Sequence, residues 1–255
     1  MTQILYVYAI GRAGHGLPDG VQAVESESLA AFYSPVDEAE YDQAAIDARS
    51  KDVEWLGAIG YWHQSVMSDL MRGGTIIPLR AFTLFATADR LREHLDAERE
   101  RFETILRRIE GKQEWTLRIE FEPQRWSEAI IRRVESLRAL AAEAEGASPG
   151  KAFLLRKKLD DAKKDASREG EQQVMHEVEQ AVMEKLACDT VAETRQQRSG
   201  AFPQINVLLH RDEEARLEEL RRELEHRYQH DGVTIAVTGP WPPYTFAGMT
   251  ADERA

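Results

Sequence analysis

The chain has 255 residues, 42% of them apolar and 31% charged, with a formal net charge of -12. That balance excludes an unfolded polyelectrolyte, no apolar run approaches the ~20 residues needed to cross a bilayer, and an acidic surface repels the phosphates of nucleic acid. A single cysteine, Cys188, rules out an intramolecular disulfide and a multi-cysteine zinc site and suits a reducing compartment. The expectation is a soluble protein with no membrane or nucleic-acid partner, long enough for one large domain or two smaller ones.

The opening MTQILYVYAI lacks the basic start and small-residue cleavage site of a secretory signal, so ILYVYAI reads as a buried first strand of a cytoplasmic protein. GRAGHGLPDG is a glycine-rich turn, and VQAVE and LAAFYSPV are short strands completing a hairpin sheet. From Asp42 to Met71 the spacing predicts one helix with Trp55, Ile59, Trp62, Val66 and Leu70 on its inward stripe and Leu56, His63 and Met67 beside it. Gly73 and Gly74 stop that helix. TIIPLRAFTLF then belongs on an edge strand or at a bulge, because Pro78 cannot donate to a ladder. Thr87 is placed to cap a helix bearing Leu91, Leu95, Phe102, Ile105, Leu106 and Ile109, ended by Gly111.

EWTLRIEFE alternates, with Trp115, Leu117, Ile119 and Phe121 on one face of a half-exposed strand. A helix is expected from about Ser127 to Ala144, then a break at EGASPG, then a charged helical stretch from Lys151 to about Thr194 whose heptad-like apolar spacing Gly170 interrupts, as two long helices or one kinked helix. FPQINVLLH, a helix capped by Asp212 with Leu217, Leu220, Leu224 and Tyr228 inward, and GVTIAVTG close the fold as strand, helix and strand. Strands at both ends of each half with helices between predict an α+β fold with helices on a sheet face, divided near Gly111.

Candidate chemistry is sparse. GRAGHG has neither dinucleotide-loop nor Walker spacing and reads as an ordinary loop, and His15 within it has no recognisable catalytic neighbour. His226 and His230 lie four apart on a predicted helix, a spacing two metal ligands share, but HRYQH shows no third ligand and two solvated histidines at a helix C-terminus fit better. His63 falls among core-facing residues and reads as a satisfied buried histidine. Cys188 has no neighbouring base and reads as a packing residue. The acidic residues alternate with Arg and Lys on outward helix faces, as solvated ion-pair networks do. No metal, cofactor or catalytic set is expected.

TGPWPPYTF, residues 238–246, is the most unusual segment. Its prolines predict near-polyproline II geometry over residues 240–243, which points Trp241 and Tyr244 the same way and makes a clamp that loses little entropy on docking. Folding back to seal its own sheet with Trp241, Tyr244 and Phe246 ranks ahead of direct partner contact.

This string resembles the C-terminal TGPWPPYSF hallmark of the GvpL/GvpF gas vesicle family, differing only at Thr245. YVYAI, the helix with Trp55, His63 and Val66, IIPLRAFTLF against a usual vlPlRFGtvf, and EWTLRIEF fall in the family's order, so the resemblance covers nearly the full chain. It departs at Ala81 and Phe82, where Phe-Gly is usual, and at FPQINVLLH, where NxAYLV is common.

The resemblance implies two α+β domains, each a small antiparallel or mixed sheet covered by helices: residues 1–110, then a modified ferredoxin-like domain with long helices at 111–240, then an aromatic strap and tail at 241–255. It further implies an accessory or minor structural role in gas vesicle assembly, without enzymatic activity. The expected partners are the hydrophobic shell protein and other accessory proteins, met through Trp241, Pro242, Pro243, Tyr244 and Phe246. Two alternatives remain at this point: a nucleotide- or small-molecule-binding enzyme using a ferredoxin-like sheet and the GRAGHG loop, and a general chaperone-like adaptor whose long helices clasp diverse clients.

Overall fold

The computed structural model describes residues 2–186, 188–193 and 203–248. They form two compact units, one taking the chain through Glu114 together with the segment from Pro240 onward, the other Trp115–Gly239. Both are antiparallel sheets with helices, a mixed α+β architecture.

The first unit contains β1 (Gln3–Arg12), β2 (Gln22–Ser26), β3 (Leu29–Asp37), α1 (Glu38–Tyr41), α2 (Gln43–Arg49), α3 (Val53–Gly73), β4 (Ile76–Pro78), β5 (Leu84–Phe85), α4 (Ala88–Ala97) and α5 (Arg99–Ile109). Its sheet runs β2-β3-β1-β4, with β5 also pairing β1. β1 is central and buried from Ile4 to Gly11. A register shift against β3 between Val7 and Ala9 is a bulge that changes the strand's parity. Tyr6 precedes it, Tyr8 lies in it, Ala9 follows it, and all three join one aromatic-rich cluster with Phe32, Met67 and Leu70. Gly11 continues that face because a Cβ there would stand 2.8 Å from the Phe32 ring. Pro78 ends the edge strand β4, where no donor is needed.

The expected helix from Asp42 to Met71 is two pieces, because an aspartate caps at its start and another within it. Asp42 accepts from the Ala45 N–H at 2.7 Å and Asp52 from the Trp55 N–H at 3.0 Å, starting α2 and α3. The inward stripe of α3 is Ile59, His63, Met67 and Leu70, one step round from the expected one, while Trp55 and Trp62 are half-buried. Thr87 caps α4 through the Arg90 N–H, and the expected apolar face continues into α5 beyond a break at Glu98.

The second unit is built on β6 (Lys112–Phe121), α6 (Pro123–Arg133), α7 (Glu135–Glu145), α8 (Pro149–Lys185), β7 (Asp189–Glu193), β8 (Gln204–His210), α9 (Glu214–Tyr228) and β9 (Val233–Trp241). Its sheet order is β7-β8-β6-β9. The apolar face foreseen on β6 is buried: Trp115, Leu117, Ile119 and Phe121 share one core with Ile205, Val207 and Leu209 of β8 and the inward residues of α6 to α9. Cys188 packs against that core.

Four features differ from expectation. The helix expected from Ser127 splits at Val134, whose extended backbone (ψ 112) ends α6 and starts α7. α8 is continuous through Gly170, because the glycine makes room: a Cβ there would lie 2.5 Å from Ile130 Cδ1 and 2.9 Å from Trp126 Cζ2. The stretch expected up to Thr194 ends at Lys185 instead, and Thr194 itself lies outside the described residues. Asp212 does not cap α9; it sits in a 3-10 turn, Arg211–Glu213, whose tighter geometry delays the α-helix to Glu214.

Candidate functional site

The C-terminal motif is anchored within the first unit by residues that arrive from distant parts of the sequence. β9 ends at Trp241, and the chain then turns, with the Tyr244 N–H donating to the Pro242 carbonyl at 2.7 Å and the Ala247 N–H to the Pro243 carbonyl at 2.8 Å. The expected extended run through residue 243 is thereby cut short, and Trp241 and Tyr244 do not share an environment. Trp241 is 40% exposed, whereas Pro242 and Pro243 are buried and Phe246 is only 2% exposed.

Tyr244 reaches the middle of α3. Its hydroxyl lies 3.3 Å from His63 Nε2, while His63 Nδ1 lies 3.1 Å from the Tyr6 hydroxyl. The Phe82 N–H donates to that same Tyr6 oxygen at 3.2 Å. His63 thus bridges the Tyr6 and Tyr244 hydroxyls through its two ring nitrogens, and its tautomer sets which hydroxyl donates and which accepts. Burial pushes His63 below the usual histidine range, opposed by a backbone hydrogen bond at Leu79. Burial raises Tyr6 to about 12 and Tyr244 to about 12, so all three groups are neutral at physiological pH. Trp62 closes the cluster, with its ring 4.9 Å from Tyr6 and 5.4 Å from Tyr8.

A second anchor is Glu114, 5% exposed, whose carboxylate takes the Thr245 N–H at 3.0 Å on Oε2 and the Thr245 hydroxyl at 2.7 Å on Oε1. Charge-assisted bonds of this kind are about twice as strong as neutral ones. Phe246 completes the set beneath the Arg108 guanidinium, 5.9 Å from its ring. Three consecutive side chains, Tyr244, Thr245 and Phe246, are thus held inward.

Phe82 is the strained member. Its φ of 67 lies in the left-handed region, at a turn closed by the Thr83 N–H bond to the Arg80 carbonyl. Its ring stacks on Trp55 at 5.5 Å. A bulky residue held there costs about 1–2 kcal/mol, offset by ring packing and the bond to Tyr6.

Of the other candidates, the GRAGHG loop places the Ala13 N–H on the Ser28 carbonyl at 2.9 Å and the Gly14 N–H on Glu25 Oε1 at 3.1 Å. His15 donates through Nε2 to the Leu70 carbonyl at 2.9 Å. His226 and His230 are exposed, and the amide of Gln229 lies 2.9 Å from His226 Nδ1. Among the described residues no group of three or more His, Cys, Asp or Glu side chains could hold a metal ion, and no helix is long and apolar enough to cross a membrane. A cavity of about 830 Å³ in the first unit is walled by Ile46, Leu79, Phe82 and Phe102 with Arg80 and His94 at its polar side.

Sequence reasoning missed Glu114 and Tyr6 as members of the site. Glu114 looks like one more outward charge on an alternating strand, and its partner Thr245 is 131 positions away. Its one signal is position, directly ahead of Trp115 near the start of the strand.

Residues 4–248 match the family model described as gas vesicle synthesis protein GvpL/GvpF. The chain is 29% identical to gas vesicle protein L of Streptomyces sp. (strain CB03234), over 98% of this chain and 95% of that protein. Its fold is similar to the crystal structures of the gas vesicle protein GvpF from Microcystis aeruginosa (14% identity, TM-score 0.65, covering 96% of this chain and 98% of that one) and from Anabaena sp. PCC7120 (13%, 0.66, 97% and 99%).

Proposed function

This chain belongs to the GvpL/GvpF family of gas vesicle synthesis proteins, and we propose that its part in gas vesicle assembly is to bind the hydrophobic shell protein through the Trp241 end of the C-terminal strap. The carrying observation is the division of labour within the motif. Tyr244, Thr245 and Phe246 are spent on holding the segment down, while Trp241, set between Pro240 and Pro242, keeps 40% of its surface exposed. A large amphipathic ring held on a rigid backbone is what a binding hot spot requires, because little entropy remains to be lost on contact.

The protein works in the cytoplasm at the growing vesicle, alongside other accessory proteins and without turning over a substrate. In support, His15 and His63 bond within the chain and the Gly14 amide of the glycine loop is taken by Glu25. We read the second unit as a modified ferredoxin-like domain in which three helices, α6 to α8, fill the first crossover; the order β7-β8-β6-β9 and the strand-helix-strand-strand-helix-strand sequence support this.

The test compares Trp241→Ala with the wild type in co-sedimentation with purified shell protein. The expected result is binding weakened at least ~10-fold, as loss of a hot-spot aromatic costs about 2 kcal/mol or more, with an unchanged circular dichroism spectrum. Full-strength binding by the variant, or no binding by the wild type, would overturn the proposal.

A further inference from the structure

The outer face of α3, in the first unit, is built unlike the rest of the surface. Val53 and Tyr61 are each 81% exposed, and Gly57, Ala58, Gly60 and Ser65 are exposed with them. From residue 53 to residue 68 the only Asp, Glu, Lys or Arg is Glu54, in a chain that is 31% charged. The segment leading into that face is acidic: residues 37–54 carry seven carboxylates against Arg49 and Lys51. Glu38, Glu40, Asp47 and Glu54 among them are exposed.

The first turns of α8, in the second unit, have the opposite character. Residues 151–158, KAFLLRKK, carry Lys151, Arg156, Lys157 and Lys158 and no carboxylate, within a protein of net charge -12. Between these bases Phe153 and Leu154 are 68% and 66% exposed. Lys151 pairs with Glu143 at 2.9 Å, and among the described residues Arg156, Lys157 and Lys158 enter no ion pair. A shallow groove follows this face from Leu154 past Lys157 and Lys158 to Asp165. Scattered single apolar residues on a surface need no explanation, but two adjacent large ones ringed by unpaired bases mark an interaction site.

We propose that these surfaces are the two halves of one self-association contact: the basic, apolar start of α8 in one copy docks on the uncharged, acid-flanked face of α3 in a second copy. The patches are opposite in sign, and each offers two large exposed apolar side chains. Gly57 and Gly60 have nothing within 4 Å of where a Cβ would stand, so a second helix can approach the α3 backbone closely there. A lipid surface or a polyanion would answer the basic patch alone and leave the α3 face unaccounted for. Opposite charge across the rim steers association and makes it sensitive to salt, while the apolar residues supply the buried centre. Because the two faces differ, the contact is heterologous, and copies add head to tail until a ring closes.

The experiment uses the purified full chain without any other gas vesicle protein, so its failure would leave the shell-protein reading untouched. Analytical ultracentrifugation should show a mass near 29.0 kDa when dilute that rises with concentration at low salt. Salt at roughly 0.5 M should weaken the apparent affinity at least ~10-fold, since the Debye length falls to a few ångströms. Phe153→Glu with Leu154→Glu, and separately Val53→Lys with Tyr61→Lys, should each remain monomeric with unchanged thermal unfolding. An equimolar mixture of the two should restore a dimer that does not extend, because each variant keeps the half that the other has lost. Should the α8 pair perturb folding, the solvated pair Lys157→Glu with Lys158→Glu replaces it, and should the α3 pair do so, the exposed pair Glu38→Lys with Glu40→Lys replaces it. A wild type that stays monomeric at its highest soluble concentration, variants that still associate, or a mixture that stays monomeric would overturn the proposal.

Discussion

The two units bury their sheets by different means. In the first, the central strand β1 is buried along nearly its whole length, and its tyrosines are tied to α3 and the C-terminal strap through hydrogen bonds among Tyr6, His63, Tyr244 and Phe82. In the second, β6 alternates and one face enters a larger, mostly aliphatic core with four helices, where Trp115, Phe121, Trp126 and Tyr228 are the aromatic members and Tyr228 donates to Glu177 at 2.5 Å; polar side chains such as Thr116 and Asn206 bond each other at 2.9 Å outside that core. An aliphatic core is non-directional and tolerates volume-conserving change, whereas a core threaded by hydrogen bonds loses the desolvation cost of each orphaned partner when one member goes. The family motif therefore occupies the part of the molecule least able to absorb substitution.

The sharpest way to break that contrast is Tyr244→Ala. Loss of a large, mostly buried ring and of the His63 bond should cost about 3 kcal/mol, with hydrogen exchange accelerating in β1, α3 and the strap while β6 to β8 keep their protection. Uniform acceleration through both units would deny that the first behaves as a separate cooperative body. Glu114→Ala comes next: the Thr245 amide and hydroxyl lose a charged acceptor, for about 2 kcal/mol in urea unfolding. Gly170→Ala probes the second unit. Its Cβ would meet Ile130 and Trp126, so the better helix propensity is outweighed and the net loss is about 1 kcal/mol; a gain in stability would show that α8 has slack against α6.

The smallest effect is on pH dependence. His63 is buried neutral and its pKa is lowered from 6.5, so the unfolded chain takes up a proton first and stability is lost as pH falls below 6.5; His94, lowered by burial too, acts in the same direction. At the other end, Tyr6 and Tyr244 are raised from 10.0 to about 12, so the unfolded chain loses protons first and stability declines as pH rises through that window. Thermal melts across pH should show both slopes, and His63→Gln should flatten only the acid one.

Much of the second unit was legible because its signals are periodic. Trp115, Leu117, Ile119 and Phe121 alternate, and Leu217, Leu220, Leu224 and Tyr228 recur at helical spacing, so the inward residues could be named without knowing what they meet. His63 was legible as a buried histidine for the same reason. Its hydrogen-bond partners were not, since Tyr6 is 57 positions away and Tyr244 is 181. Gly170 misled because a glycine in a helical pattern has two readings, a break or a close approach, and only the presence of Trp126 and Ile130 chooses between them. The strap misled through local geometry: its prolines do bias the chain to extended backbone, but the pull of Glu114 and His63 on Thr245 and Tyr244 turns it immediately after Trp241.

Local backbone preference and hydrophobic period are properties of neighbouring residues, and they alone settle that this chain is α+β, where most strands and helices lie, and which face of most of them turns inward. Which side chains complete the motif's seat depends on contacts across more than a hundred residues. There the free energy comes from pairing buried polar groups with partners that no local pattern specifies, and only the folded arrangement decides that Tyr244 is committed to the interior while Trp241 faces out.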